Sequence, residues 1–445
     1  MIVLFKLSVF FILDMYMDAK PIKYTIGSYN IYIINMPSRN VYVGGFIDNG
    51  YIHENTKTCG INHLLEHILM NAWNKCGSES CFRYWDKRPV HMNASTHTTF
   101  VDYFINGLHS EMLEMINYIF KIVTMPEISD KTVNDEKKAV ESELHNLINR
   151  PVIPLIHKMN QVLYKRKAIV NSSDYHLQIS NLKDITKKDI IQYYNKKYNA
   201  KNTSFYISGS FTTRHIKQIL GIFRDIVKPI KVSNNTIVYY NDVFTYNTKI
   251  IHHPNVSAKN TEFVISVPLL PDYKKYKHYQ TILTVIQNIS NIQLFDLLRT
   301  QHKLIYGITL TFDIYYYGVE LNIIGSCIDK NILPVLSEIM KWLHNFRTVE
   351  FTQTEIKQSV GKVLLQLNDT KITPSYICKY YEQQIHLQGQ ESYTRLYSIR
   401  EQFTSIKNTK LEDIQKIQRC VDINNVVVGY TSKTNSKITL AKILP

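Results

Sequence analysis

A chain of 445 residues with 44% apolar content is long enough to bury a sizeable core and to fold as two or three domains. Its 52 basic and 37 acidic side chains leave a formal charge of +15, which suits acidic substrates or other anionic partners. The lysines are scattered and no nucleic-acid-binding module is recognisable, so nucleic acid is not an expected partner.

Residues 1–22, opening MIVLFKLSVFFILDMYMDAK, are apolar but interrupted by Lys6. The run falls short of the ~18–20 residues of a membrane span, so a membrane partner is not expected either. The segment reads equally as a weak signal peptide without a clear cleavage site or as a strand entering the first sheet. From YTIGSYNIYIINM to NVYVGGFIDNG, alternation predicts a β-hairpin that ends in a turn at Asn49-Gly50.

The next stretch is GINHLLEHILMNAW, Gly60 to Trp73. Ile61, Leu64, Leu65, Ile68, Leu69, Ala72 and Trp73 recur at helical spacing and predict an amphipathic helix. At about 100° per residue, His63, Glu66 and His67 fall roughly opposite that stripe. Two histidines at i and i+4 stand one above the other and can hold one metal ion, with Glu66 beside both. This is H-x-x-E-H, the inverted form of the zinc-protease helix motif. The competing interpretation is a solvated polar face, and a third ligand decides between them.

NASTHTTFVDYFING then predicts a strand and SEMLEMINYIFKIV a helix. Ser129 or Asp130 caps the following helix, DKTVNDEKKAVESELHNLIN, which stops before Pro151. On it Glu136 and Glu143 are two turns apart and share a face, whereas Glu141 points elsewhere. A His₂Glu zinc site needs one carboxylate from a second element. The Glu136/Glu143 pair offers that ligand and a further carboxylate to orient a histidine or the ligand itself.

Further along, the chain repeats itself. KKDIIQYYNKKYNAKNTSFYISG ends at Gly209 and LEDIQKIQRCVDINNVVVG at Gly429, an offset of 429 − 209 = 220. Glu136 has a counterpart in Glu355, at 355 − 136 = 219. Two landmarks with nearly one offset indicate a duplicated domain. The expected domains are 23–230 and 244–445, joined by a proline-plus-polar linker within residues 228–243. Cys59, Cys76, Cys81, Cys327, Cys378 and Cys420 fit neither a paired C-x-x-C zinc site nor a dense disulfide framework. They are expected as buried thiols of a reducing compartment.

These motifs resemble the M16 zinc metallopeptidases, the pitrilysin, insulinase and mitochondrial-processing-peptidase family. That family's signature is H-x-x-E-H followed by a glutamate about 76 residues on; here 143 − 67 = 76, which selects Glu143, and Glu136 matches a further family glutamate seven positions earlier. DNGYIHENTKTCGINHLLEH is similar to the family's run through Gly50, Glu54 and Gly60. NASTHTTFVDY is similar to its Asn-Ala-x-Thr strand, with Val101 where the family has a later threonine, and LLRTQHKLIYGI to its Arg and Tyr seven apart, at Arg299 and Tyr306. Two further features depart from the pattern. The motif continues as ILMNAWNKCGSES where the family has a Phe-x-Gly-Thr-like run, and the second half carries Lys362 at the position of Glu143 and no second H-x-x-E-H.

The resemblance implies an α+β fold of two tandem homologous domains, each a mostly antiparallel sheet packed with helices, half of the family's clamshell. It implies one Zn²⁺ per chain on His63, His67 and Glu143, and peptide-bond hydrolysis with Glu66 as general base. Glu136 would support the catalytic site, and Arg299 and Tyr306 would hold the substrate and its oxyanion. Asn93, Ala94 and Ser95 are the expected sheet edge on which an extended peptide would add as a strand. The expected partners are a peptide or extended polypeptide substrate and a second chain, identical or related. The alternative from another class is a non-catalytic structural or assembly subunit of M16 type.

Overall fold

The computed structural model describes residues 17–77, 79–228, 238–255, 259–275, 278–369, 372–388, 396–433 and 438–444. Most of the apolar opening segment and of the expected linker 228–243 therefore lies outside the described residues. The chain forms two compact units. The first draws on Met1–His145, Tyr175–Tyr239 and Ile372–Arg400, and the second on Asn146–Asp174, Tyr240–Lys371 and Glu401–Pro445. Among the described residues no helix is long and apolar enough to cross a membrane.

Among the described residues the first unit has six strands: β1 Ile22–Ile26, β2 Tyr29–Asn35, β3 Asn40–Ile47, β4 Val90–Thr96, β5 Val101–Leu108 and β6 Thr203–Gly209. Their order is β1-β2-β6-β3-β5-β4, and β2–β6 is the one parallel pair. The expected hairpin through Asn49-Gly50 is corrected here. The hairpin is β1–β2, turning at Gly27 and Ser28 with φ of +56° and +69°. β6, buried at all seven positions, separates β2 from β3. A strand with no polar face is stable only in the middle of a covered sheet, and that burial draws it between the two. NASTHTTFVDYFING likewise forms two strands, β4 and β5, around a turn at His97–Phe100, where the N–H of His97 donates to the carbonyl of Phe100.

Among the described residues the second unit has five strands: β7 Lys249–Pro254, β8 Thr261–Pro268, β9 Ile305–Tyr315, β10 Gly318–Cys327 and β11 Val427–Ser432. The order is β7-β11-β8-β10-β9 with β7–β11 parallel. With β1 set aside, the two sheets share one order and one parallel pair, as expected of duplicated, mostly antiparallel α+β domains. The strands after the two repeated helices, β6 and β11, hold the same place in their sheets.

Each sheet is also covered by a helix from the other half of the sequence. Helix Pro374–Gln388 packs on β3 and β6, and helix Val152–Leu163 packs on β11 and β7. His386 fixes the former: its Nδ1 lies 2.6 Å from Asp48 Oδ1 and its Nε2 lies 2.9 Å from the Thr99 hydroxyl. All three are buried, so this Asp–His–Thr chain is a clamp on the β4–β5 turn rather than a nucleophile open to substrate.

In the second unit Tyr164 donates to Glu320, 2.5 Å away on β10. Burial pushes the Glu320 carboxyl up to about 7, with Tyr164 opposing and Asp313 adding to the rise. The folded chain therefore holds this proton more tightly than the unfolded one. The stability it contributes is complete below about pH 4.5 and is lost as pH rises toward 7. Glu320→Gln should consequently gain on the wild type by up to about 3 kcal/mol across that window. Parallel urea titrations from pH 4.5 to 8 check this, and a pH-independent difference would refute it.

Candidate metal centre

The motif helix spans Ile61–Met70 and its start is fixed by two glycines and a glutamate. Gly60 has φ of +90°, and a Cβ there would also press on Gln178 at 3.2 Å. Glu54, buried, accepts from the backbone N–H of Gly60 and of Asn62, both at 2.9 Å, and so caps two orphan donors of the first turn. Burial pushes its carboxyl up to about 8, against those N–H groups, which favour the charged form. At Gly50 a Cβ would lie 2.3 Å from the carbonyl oxygen of His97, so only glycine lets the β4–β5 turn approach this closely. Gly50, Glu54 and Gly60 thus set the helix and β4 against each other.

The polar side of the helix is not a solvated face: Asn62, His63 and Glu66 are buried and His67 is half-buried. His63 and His67 have ring centroids 4.9 Å apart. Glu143 reaches them from helix Asp130–Ile148, which Ser129 caps through the N–H of Thr132. Its Oε2 lies 3.6 Å from the Nε2 of each histidine. Ligand atoms of the three residues all fall within 4.8 Å of one another, the one such cluster among the described residues. Tetrahedral bonds of about 2.1 Å set ligand atoms roughly 3.4 Å apart, so two imidazoles and a carboxylate at these separations fit a zinc ion.

Glu136 lies beside the cluster rather than in it. Its Oε2 is 3.2 Å from His67 Nδ1. An ionised carboxylate can only accept, so Nδ1 carries the proton and Nε2 keeps its lone pair for a metal. Burial alone would lower the His67 pKa; the hydrogen bond to Glu136 and the charges of Glu66, Glu136 and Glu143 outweigh it and raise it. Glu143 is held below the usual carboxylate range, first by its contact with His63. Glu66 is raised by burial, against the pull of His63, Thr96 and His67. Glu141 faces away, 3.9 Å from His145.

The roles of two residues went unread in the sequence. Thr96, at the end of β4, donates to Glu66 Oε2 at 2.7 Å. Asn71, just past the motif helix, donates to Glu136 Oε1 at 2.9 Å. Only strand pairing and the bend after the helix bring them there. Asn93, Ala94 and Ser95 lie on an edge strand, since among the described residues β4 pairs with β5 alone. Arg299 and Tyr306 belong to the second unit. There Arg299, in a π-helical segment Asp296–Gln301, donates to the carbonyl of Ile305 at 2.8 Å, and Tyr306 stands exposed on edge strand β9. The cysteines need one correction. Cys76 and Cys81 form a disulfide, because the turn at Gly77 (φ +63°) brings their Cα atoms to 5.3 Å, while Cys59, Cys327, Cys378 and Cys420 are buried thiols.

Residues 30–172 match the family described as Insulinase (Peptidase family M16), and residues 184–362 that described as Peptidase M16 inactive domain. The mitochondrial-processing peptidase subunit beta of Saccharomyces cerevisiae is 23% identical over 191 residues, 42% of this chain. The probable zinc protease PqqL of Haemophilus influenzae is 26% identical over 198 residues, 41% of this chain. The matched stretches span 39% and 20% of those proteins. A protease from Helicobacter pylori superimposes with a TM-score of 0.78 at 14% identity over 93% of this chain and all of its own. A peptidase M16 inactive domain from Pseudomonas fluorescens gives 0.79 at 10% identity over 94% and 100%. At those identities the solved structures speak to the fold alone.

Proposed function

Because the chain belongs to the M16 peptidase family, we propose that it is a zinc-dependent metalloendopeptidase acting on peptides or extended protein segments. The observation that carries this reading is the convergence of His63, His67 and Glu143 with Glu66 buried beside them. These three would hold the ion, which when bound lowers the pKa of a water toward ~7 and polarises a carbonyl. Glu66 would take the water proton as general base and return it to the leaving amine, with Thr96 fixing the carboxylate that does so. Glu136 would keep His67 in the right tautomer. An extended substrate would pair with edge strand β4 along Asn93, Ala94 and Ser95, read through its backbone. Arg299 and Tyr306 would serve the substrate and its oxyanion, in a chamber closed by a second, identical or related chain.

The expected metal content is one zinc per chain, since Lys362 stands where the second half would need a ligand. Metal analysis of the purified chain, with proteolysis of an unstructured peptide library before and after chelation, tests the reading. Chelation should abolish cleavage and added zinc restore it. A chain without zinc, with two tight zincs, or with zinc but no cleavage of any peptide would overturn it.

A further inference from the structure

In the stretch where this chain departs from the family, ILMNAWNKCGSES, Asn71 is bonded both to Cys81, which follows the stretch, and to Glu136 beside the metal centre. Asn71 follows His67 by one helical turn, so it stands on the same side of the motif helix. Its backbone N–H closes the helix on the carbonyl of Ile68 at 3.1 Å. Its side chain is used at both ends. Oδ1 accepts from the backbone N–H of Cys81 at 2.8 Å, and Nδ2 donates to Glu136 Oε1 at 2.9 Å. Those two bonds leave one orientation of the amide. Glu136 then has each oxygen engaged, Oε1 by Asn71 and Oε2 by His67 Nδ1. The plane of the carboxylate, and through it the His67 ring, is fixed from Cys81.

Cys81 is itself held. Its disulfide to Cys76 closes a short loop whose other end is pinned by the Cys76 N–H on the carbonyl of Trp73 at 3.1 Å. Cys81 opens helix Cys81–Asp86, capped by Ser80, and Trp85 of that helix stacks on Trp73 with centroids 5.9 Å apart. The donor to Asn71 is therefore a backbone group on a crosslinked, aromatic-packed support.

We propose that Asn71 is a positioning residue for the metal centre, and that the Cys76–Cys81 crosslink sharpens metal binding through it. The inference rests on the zinc reading above and adds a determinant of affinity that lies outside the ligand set. Partners that orient a metal-bound histidine are typically worth 10–100-fold in affinity. Without the crosslink the Cys81 N–H is less fixed, Asn71 is free to turn, and Glu136 loses the bond that sets its plane.

The test is the zinc dissociation constant, read by chelator competition on the full chain with melting temperature in parallel. Asn71→Leu should weaken zinc binding about tenfold. Asn71→Asp keeps the acceptor for Cys81 but replaces the donor to Glu136 by a second carboxylate that repels it, and should weaken zinc as well. Cys76→Ala/Cys81→Ala, which leaves the Cys81 backbone donor in place, should weaken zinc severalfold in the wild type. In the Asn71→Leu background it should have no further effect. Unchanged affinity in either Asn71 variant, or equal effects of the crosslink in both backgrounds, would overturn the proposal. A wild-type chain that binds no zinc would instead remove the functional reading, with His63→Ala as the zinc-free reference.

Discussion

Replacing Glu66 by Gln should leave the zinc in place and lower turnover by roughly 10²–10⁴-fold. The substitution keeps the side-chain length and does not touch the His63, His67 and Glu143 cluster. Thr96 can still donate to the amide oxygen of Gln, so the side chain should keep its present position. What disappears is the capacity to take a proton. The control is metal content: the variant should match the wild type in zinc per chain and in dissociation constant, with the loss confined to kcat. Near-full activity in Glu66→Gln would mean that some other group is the base, and loss of zinc would mean that Glu66 supports the ligands rather than the chemistry.

How much of this was legible in the sequence follows from how local each signal is. H-x-x-E-H and the seven-residue spacing of Glu136 and Glu143 are helical periodicities, and a helix is a local object. The structure accordingly has His63 and His67 together and Glu136 and Glu143 on one side of their helix. Spacing alone left open which glutamate meets the ion. Tertiary packing separates them, Glu143 against the Nε2 atoms and Glu136 against Nδ1 of His67. The repeat at an offset of about 220 was legible because duplicated strands keep their helix-strand-glycine punctuation. Strand neighbours were not. β6 enters between β2 and β3 from more than 150 residues away, and alternation within a segment says nothing about which strand lies beside it. The roles of Thr96 and Asn71 escaped notice for the same reason, since each residue acquires its role from a partner 30 or 65 residues distant. The Cys76–Cys81 pair was hidden by its separation of five, which matches no familiar spacing.

The same packing argument yields an ordered loss of metal along the ligand helix. Glu143→Gln should weaken zinc more than the 10–100-fold typical of an outer partner, because it removes a negatively charged ligand. Glu136→Gln should fall within that range, because its effect passes through His67 Nδ1. Glu141→Gln should bind zinc like the wild type, since Glu141 lies 3.9 Å from His145 and outside the His63, His67 and Glu143 cluster. Activity at limiting zinc should follow the same order and, for Glu136→Gln, recover in part as zinc is raised. Glu143→Gln should recover least, because one of the three ligands has lost its charge. The measurement is a zinc titration of each apo-chain by chelator competition, followed by peptide cleavage at low and saturating metal. Should Glu141→Gln abolish binding while Glu143→Gln retains it, the helix would have to be turned by some 160° from the orientation found here, and the assignment of the third ligand would fail.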